Sequence, residues 1–338
     1  MKVNIRKISE LSGFSPATVS NALNNKKGVN HETAMQILAI AKECGYISET
    51  KIQSIKLVYY HDSGEIVSDS PFFNNLLESV SNACREEGMD MKVVNLYRRD
   101  GNYAQQVELL LQDTSAAILL VGTELSEEDA KAFLDTKMPL VLLDCSFAAL
   151  PFHSVLMDNE NSMGQAAEYL IGLGHRKIGY LRSKVPSHNF QERYRGYEQI
   201  MRQHGLAVEK KYGYEVPVSI TGAYEMFCRL LEEDRELPTA FLADNDMIAL
   251  GVMQALQKHQ IRIPEDISVV GFDDIEFSRV CAPGLTTVRV HMKELGELAV
   301  NKLLEVIKRP QSIPARTQMY TKLVLRGSTA APADETKI

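Results

Sequence analysis

The feature that most constrains the fold is a long alternation of apolar, strand-length runs with amphipathic helical stretches, which begins at Ile55. Apolar runs cover residues 55–60, 91–96, 117–121 and 139–144, with helical patterns between them. Nearly continuous apolar strands are typical of a parallel sheet that helices cover on both faces. A second series of the same kind starts at about residue 162. The sequence therefore predicts an α/β body of two doubly wound parallel-sheet lobes, with a cleft between them.

The segment before this alternation, residues 1–46, predicts a small all-α head. Ser15 can cap a helix whose first position is Pro16, where proline's fixed φ is favourable and its missing N–H costs nothing. Gly13 separates this helix from a short helix before it, which is helix-turn-helix spacing. Asn30 can cap a third helix that ends near Gly45.

The second helix of the head presents small polar groups on one side. Val19 and Leu23 are expected to point inward, which leaves an outward face of small side chains made by Ala17, Thr18, Ser20 and Asn21. Such a face can approach the phosphates and base edges of a DNA groove. A helical hairpin inside a larger α domain is the alternative that this stretch alone leaves open.

Charge is unevenly distributed along the chain. The net charge is −7, but residues 1–51 carry seven Lys or Arg against four Glu, a balance of +3, so the remainder carries −10. A basic head on an acidic body confines attraction for phosphate to the head. No apolar run has the length of a membrane span and the N-terminus lacks the apolar core of a signal peptide, so we expect a cytoplasmic protein with no membrane partner.

Motifs for metal or cofactor chemistry are missing from the sequence. The five cysteines are far apart and the eight histidines form no ligand pattern, so we predict no metal site. There is no Gly-rich phosphate loop and no Ser-His-Asp elbow, and we therefore predict no cofactor and no enzyme activity.

Short motifs along the chain resemble the lactose/galactose-repressor (LacI/GalR) family of bacterial transcriptional regulators, from about residue 4 to residue 328. They are Ser15-Pro16-Ala17-Thr18-Val19-Ser20, Glu43-Cys44-Gly45-Tyr46, Ser70-Pro71-Phe72-Phe73, Asp158-Asn159, Gly174-His175-Arg176-Lys177-Ile178-Gly179, Arg193-Tyr194-Arg195-Gly196-Tyr197, Ala243-Asp244-Asn245-Asp246, Gly271-Phe272-Asp273-Asp274 and Leu285-Thr286-Thr287-Val288. Each motif is short, but together their order and spacing are specific.

This resemblance implies a homodimer whose heads bind a near-palindromic operator, and a periplasmic-binding-protein-like body (type I) that holds a small effector, expected to be a sugar, between its lobes. The implied domains are a helix-turn-helix domain at residues 1–46, a short linker at 47–55, a body at 56–328 and a loose tail at 329–338. The chain would cross between the lobes near Asp158, Leu285 and Ile313. The N-lobe would then hold about residues 56–157 and 286–313, and the C-lobe about 158–285 and 314–328.

The resemblance also implies two sets of contact residues. Those expected to contact DNA are Ser15, Pro16, Ala17, Thr18, Ser20, Asn21 and Asn24. Those expected to contact the effector are Phe72, Phe73, Asp144, Arg193, Asn245 and Asp273. The second set suits a polyol, because aromatic rings can cover the apolar face of a sugar while carboxylate, guanidinium and amide groups pair with hydroxyls.

Other roles remain open for some of these side chains. Asp144 can instead cap a loop, and Arg193 can be a solvated helix charge. Asp273 and Asp274 are adjacent and point to opposite sides of an extended chain. We therefore expect Asp273 in the cleft and Asp274 in a structural hydrogen bond.

The sequence departs from the family pattern in two places. Asn21 stands where an arginine is frequent, and asparagine pairs naturally with adenine. Family members usually have an arginine-rich hinge helix between the head and the body, which ends in a leucine that wedges into the minor groove and kinks it. Residues 47–55 are too short and too strand-like for this helix, so we expect weaker or less kinked operator binding, or half-sites spaced differently.

Two alternative functions remain at this stage. The same architecture could respond to a purine or to a partner protein, because a purine site would also use Phe72, Phe73 and Arg193. A carbohydrate-active enzyme could use Asp144 and Asp273 as an acid/base pair, although catalysis would leave the head unexplained.

Overall fold

The computed structural model describes residues 4–23, 29–44, 52, 54–67, 70–233 and 236–333. The chain divides into two compact units, Met1–Gln53 and Ser54–Ile338, which we term the head and the body. Within the described residues, no helix combines the length and the apolar character that crossing a bilayer would require.

The head consists of three helices, α1 (Ile5–Ser12), α2 (Pro16–Leu23) and α3 (His31–Glu43). The predicted caps are present: Ser15 Oγ accepts from Thr18 N at 3.1 Å and Asn30 Oδ1 accepts from Thr33 N at 2.7 Å. Such caps satisfy N–H groups that a helix start leaves without a partner. The helices bury a small common core of Ile8, Val19, Ala22, Ile37 and Ala41.

The N-lobe of the body is one sheet with its covering helices. Its strands are β1 (Ser54–His61), β2 (Asp90–Tyr97), β3 (Ala116–Val121), β4 (Leu140–Leu143), β5 (His153–Met157) and β11 (Arg316–Met319). Its helices are α4 (Pro71–Glu86), α5 (Tyr103–Gln112), α6 (Glu127–Ala130) and α12 (Met292–Lys308). The strand order is β11-β5-β4-β3-β1-β2 and every pair is parallel.

The C-lobe repeats this plan. Its strands are β6 (Ile178–Ser183), β7 (Gly213–Val216), β8 (Ala240–Ala243), β9 (Ser268–Asp273), β10 (Thr286–Arg289) and β12 (Lys322–Val324). Its helices are α7 (Asn159–Gly172), α8 (His188–Gln203), α9 (Ile220–Leu231), α10 (Asp246–Lys258) and α11 (Phe277–Val280). The order is β12-β10-β9-β8-β6-β7, and only the β10–β12 pair is antiparallel. The predicted head and two-lobed α/β body are thus confirmed.

Two of the three predicted crossovers between the lobes were misplaced. The first lies at Asp158, between β5 and α7, as expected. The second falls at residues 290–291, because β10 pairs with β9 and so belongs to the C-lobe. The third falls at residues 320–321, because β11 pairs with β5 in the N-lobe while β12 pairs with β10. Residues 316–324 therefore hold two strands, one in each lobe.

The first part of the predicted loose tail is ordered against the C-lobe. Ala330 O accepts from His175 Nε2 at 2.9 Å and Ala330 N donates to Ser268 Oγ at 3.1 Å. Because this backbone partners buried polar groups, residues 329–333 belong to the C-lobe, and residues 334–338 lie outside the described residues. The predicted linker, 47–55, also needs correction, since Ser54 and Ile55 are already in β1; residues 47–51 and 53 are outside the described part of the chain.

Candidate functional site

The predicted DNA-contacting residues lie on α2 and at its start. Ser15, Pro16 and Ala17 are exposed, while Thr18, Ser20 and Asn21 are half-buried. Ser15 Oγ, besides capping the helix, lies 2.9 Å from Thr18 Oγ1. Ser15 therefore acts in this structure as a cap whose oxygen already has two partners. Asn24 lies outside the described residues.

The six predicted effector residues converge on one cleft between the lobes of the body, with a volume of about 310 Å³ that includes space open to solvent. Asp144 directly follows β4, Asn245 follows β8 and Asp273 ends β9. These positions agree with the rule that ligand sites of parallel sheets lie beyond the carboxyl ends of the strands. The first turn of α4 supplies Phe72 and Phe73, and α8 supplies Arg193.

Arg193 is held rigidly at the centre of this cleft. Its Nε donates to Asn159 Oδ1 at 2.9 Å, and its Nη1 donates to the carbonyl of Asp244. The guanidinium carbon lies 3.6 Å from the centre of the Phe272 ring, and Nη2 lies 3.7 Å from Asp273 Oδ1. A planar, permanently charged group fixed in this way can present its remaining N–H groups to a ligand without further ordering.

Asp144 is a buried carboxylate of the cleft that is only partly hydrogen-bonded. Its Oδ2 accepts from Thr123 Oγ1, whereas its Oδ1 is buried and has no hydrogen-bond partner in the described part of the chain. Burial raises the pKa of Asp144 to about 6, against the opposing effects of the Thr123 hydrogen bond, the Arg193 charge and the nearby Asn189 amide. The residue also has a left-handed backbone with φ of 61°, which aspartate tolerates better than most residues.

The two adjacent aspartates at the end of β9 separate as expected. Asp273 lines the cleft, and burial raises its pKa well above the usual range, although the Arg193 charge acts in the other direction. The Asp274 carboxylate instead accepts from Arg289 Nε and Arg326 Nη2, each at 2.5 Å. Asp274 is therefore the structural member of the pair.

The aromatic wall of the cleft is preformed. Phe72 and Phe73 meet edge to face with ring centres 5.0 Å apart, and Phe73 makes a similar contact with Tyr59 at 6.2 Å. Tyr59 also donates a hydrogen bond to the carbonyl of Phe73 at 3.3 Å. These contacts fix the rings before any ligand arrives.

Five lining residues were not among the predicted effector contacts: Ile66, Ser70, Thr123, Asn189 and Phe190. Thr123 follows β3, so the strand-end rule could have found it. Asn189 and Phe190 lie in the first turn of α8, which begins at His188, and no strand end or family motif in the sequence marks them.

A second cavity adjoins the cleft and shares Ile66, Ser70 and Asn245 with it. Its volume is about 650 Å³, including open space, and its other lining residues are Glu65, Val218, Ser219 and Met247. This outer cavity has fewer charged groups than the cleft, where the guanidinium and two aspartates are concentrated.

Comparisons with known proteins agree with this architecture. Residues 4–49 match the family of bacterial regulatory proteins of the lacI type, and residues 167–329 match the periplasmic binding protein-like domain. The ribose operon repressor of Escherichia coli (strain K12) is 29% identical over 330 residues, which are 96% of this chain and 99% of that protein. The transcriptional repressor PurR of Haemophilus influenzae (strain PittEE) is 30% identical over 332 residues, 96% and 98% of the two chains.

A solved structure of the Lac repressor dimer, bound to operator and the anti-inducer ONPF, covers 98% of this chain and 100% of its own. It has a TM-score of 0.72 and 25% sequence identity. The relatives are DNA-binding repressors, which confirms the expectation of a regulator and overturns the alternative of a carbohydrate-active enzyme. The chain belongs to the lacI family of bacterial regulatory proteins.

Proposed function

We propose that this protein represses transcription by binding a near-palindromic operator as a homodimer, and that a carbohydrate bound between the lobes controls this binding. One observation carries the choice of ligand. The buried Oδ1 of Asp144 has no hydrogen-bond partner among the described residues, and Asp144 lines the same cleft as Arg193 and Asp273. Leaving a buried acceptor without a donor costs free energy, and a ligand hydroxyl group would supply that donor.

The remaining lining of the cleft also suits a polyhydroxylated ring. The fixed rings of Phe72 and Phe73 offer an apolar surface to the C–H face of a sugar, while Asn189 and Asn245 add amide groups to the polar side. Seven of the eleven lining residues are polar or charged, which suits a ligand that carries many hydroxyl groups. A purine is the second candidate, because the phenylalanine rings could also stack on a base and Arg193 could pair with its acceptors.

The DNA-binding part of the proposal rests on the head and on relatives that are named repressors. Exposed apolar side chains on the edge strand β2 (Val93 and Tyr97) and on α11 (Phe277 and Val280) support a dimer, because apolar surface of this kind favours a self-complementary interface. A protein that acts on bacterial DNA works in the cytoplasm, which is the location we propose.

The test uses the full chain and an operator selected from random palindromic DNA by repeated binding and amplification. Fluorescence anisotropy then measures operator binding while D-ribose, D-glucose, cellobiose, hypoxanthine or adenine is added. We expect a sugar to change the operator dissociation constant severalfold. If operator binding responded to hypoxanthine or adenine and to none of the sugars, the effector would be a purine and the proposal of a carbohydrate would be wrong.

A pair of variants on one helix links this response to the cleft. Arg193→Lys keeps the charge but loses the planar fork, and should weaken binding of the active ligand at least tenfold. The control is Arg202→Lys on the same helix, where the arginine is exposed and pairs with Glu198 at 3.3 Å. If the two variants bound the ligand with equal affinity, Arg193 would not be a ligand-binding residue.

A further inference from the structure

Glu124 holds a loop of the N-lobe through its carboxylate. Although this side chain is buried, it lines neither the cleft nor the outer cavity. Its Oε2 accepts from the backbone N–H groups of Asp62, Ser63 and Gly64 at 2.8, 2.8 and 2.9 Å. Its Oε1 accepts from Ile66 N at 3.0 Å. Four backbone N–H groups of one loop thus bind one carboxylate.

The geometry of residues 62–66 explains why they need an anion. Gly64 has a left-handed backbone with φ of 77°, so successive N–H groups turn toward the same point, as in the concave arrangements that bind anions elsewhere. Hydrogen bonds to a charged acceptor are shorter and stronger than those between neutral groups. Without the carboxylate, several of these inward-facing donors would lose their partner.

The loop held by Glu124 forms part of the candidate effector site. Ile66 lines both the cleft and the outer cavity, and Glu65 lines the outer cavity. The residue before Glu124, Thr123, contacts two other parts of the body. Thr123 Oγ1 donates to Asp144, and Thr123 O accepts from Ser187 Oγ, at the start of α8 in the other lobe, at 3.0 Å. Residues 123–124 therefore join the loop, the Asp144 wall and the C-lobe.

We propose that Glu124 is a positioning residue: its carboxylate fixes residues 62–66 as a wall of the effector site, and so sets ligand affinity without touching the ligand. The proposal rests on the function proposed above for the cleft. Glu124 differs from the residues whose side chains line the cleft, because it acts through the loop: four backbone N–H groups and the Ser63 hydroxyl donate to its carboxylate.

The principal variant is Glu124→Gln, which keeps the shape of the side chain but replaces one acceptor oxygen by an NH₂ group that faces N–H donors. The matched control is Glu127→Gln, which removes the same charge three residues later from an exposed position in α6. Hydrogen exchange of the full chain is followed by mass spectrometry on peptides that cover residues 62–66. Dissociation constants are measured for the operator alone and for whichever of D-ribose, cellobiose and hypoxanthine the wild-type protein binds.

In Glu124→Gln we expect the backbone amide hydrogens of residues 62–66 to exchange at least tenfold faster than in the wild type. We also expect the dissociation constant of the ligand to rise at least fivefold. Operator affinity without ligand should stay within twofold, and Glu127→Gln should match the wild type throughout. Loss of ligand and operator binding together would indicate a merely structural role and overturn the proposal. Unchanged hydrogen exchange at residues 62–66, or unchanged ligand affinity, in Glu124→Gln would also overturn the proposal.

Two further readouts keep the test decisive if Glu124→Gln folds poorly. Glu124→Asp retains the charge but shortens its reach, and should show intermediate exchange and intermediate affinity. In the wild type itself, residues 62–66 should exchange much more slowly than the exposed turn at residues 99–101. Exchange at residues 62–66 as fast as in that turn would overturn the proposal. Binding of hypoxanthine and of neither sugar would change the ligand proposed above while leaving the role of Glu124 testable.

Discussion

Two buried aspartates of the body differ in how completely their carboxylates are hydrogen-bonded. Asp246 Oδ2 accepts from Ile275 N at 3.0 Å and Ser278 Oγ at 2.6 Å, and its Oδ1 accepts from Thr287 Oγ1 at 2.5 Å. Asp144, by contrast, leaves one buried oxygen without a donor in the described part of the chain. Burial raises the pKa of both, to about 7 and about 6. The Asp246 carboxylate is thus satisfied within the fold, whereas the Asp144 carboxylate keeps an acceptor for the ligand that we propose.

The raised pKa of Asp144 predicts a pH-dependent ligand affinity. A ligand hydroxyl donates best to the ionised carboxylate, which dominates above pH 6 and gives way to the acid below it. We expect ligand affinity to rise as the pH increases from 5 to 7, and Asp144→Asn to flatten this profile. The variant should also bind about tenfold more weakly at pH 7.5, since a hydrogen bond to a charged group contributes about 1.5–3 kcal/mol. Calorimetric titration across this pH range measures the affinity. If Asp144→Asn kept the pH dependence of the wild type, Asp144 would not be the group whose ionisation controls ligand binding.

Asn21 gives the second prediction at this scale. If its amide reads an adenine edge, Asn21→Ala should relax preference at one position of each half-site, with a loss of about 1–3 kcal/mol for the preferred base. Binding to a set of operators that carry single-base changes measures this directly. Uniform weakening for every sequence would instead make Asn21 a phosphate contact.

At the scale of elements, the contact between α7 and α8 positions much of the cleft, since α8 carries Asn189 and Arg193. The helices approach so closely at Gly196 that a Cβ atom there would lie 1.9 Å from the carbonyl oxygen of Glu160. A backbone atom cannot move aside as the end of a side chain can. Glycine at this point therefore sets the distance between the two helices.

A matched pair of glycine substitutions tests this contact. Gly196→Ala should destabilise the body by ~3 kcal/mol, because the helices must separate to admit a methyl group. Gly172→Ala, at an exposed position in α7 with nothing within 4 Å of the added atom, should be neutral or stabilise by up to about 1 kcal/mol, through better helix propensity. Denaturant unfolding of both variants provides the comparison. Equal stability would mean that α7 and α8 can readily shift apart.

Apolar runs in the sequence predict β1 to β4 to within a residue or two, whereas β5 and β10 give no such signal. β10 holds Thr286 and Thr287, both fully buried, whose hydroxyls are satisfied by partners distant in sequence such as Asp246. β5 begins with the buried polar residues His153 and Ser154. Polar residues paired through long-range contacts give no apolar run, so sequence periodicity misses them. The misplaced crossovers have the same origin, because strand pairing is a non-local property.

The cleft was easier to predict than the crossovers, since the strand-end rule and the family motifs select the same positions. Asp144, Asn245 and Asp273 each follow or end a strand of the two sheets. What the sequence could not give was the support behind them. Glu124 accepts four hydrogen bonds from backbone N–H groups, and Arg193 donates a hydrogen bond to Asn159. These contacts depend on how segments that are distant in sequence meet.

At the scale of the whole molecule, the short connection between head and body predicts how operator DNA is shaped. With Ser54 and Ile55 in β1, residues 47–53 are left, and even as a helix they would span only about 10 Å. We expect an operator less kinked than those bound by relatives with a hinge helix. Gel mobility of circularly permuted operator fragments measures the bend, with such a relative as reference. A sharp bend at the operator centre would contradict this expectation.

The order in which the chain visits the two lobes also bears on its synthesis. Each sheet takes a strand from the last part of the chain, β11 in one lobe and β12 in the other, and Ala330 pairs with Ser268 and His175. Neither lobe can therefore be completed until residues 316–324 have been synthesised. The head uses only the first 44 residues for its described helices and can fold as soon as they emerge, since domains generally fold as units during synthesis. In a nascent chain the head can thus form well before the body, which we propose as the sensor that regulates it.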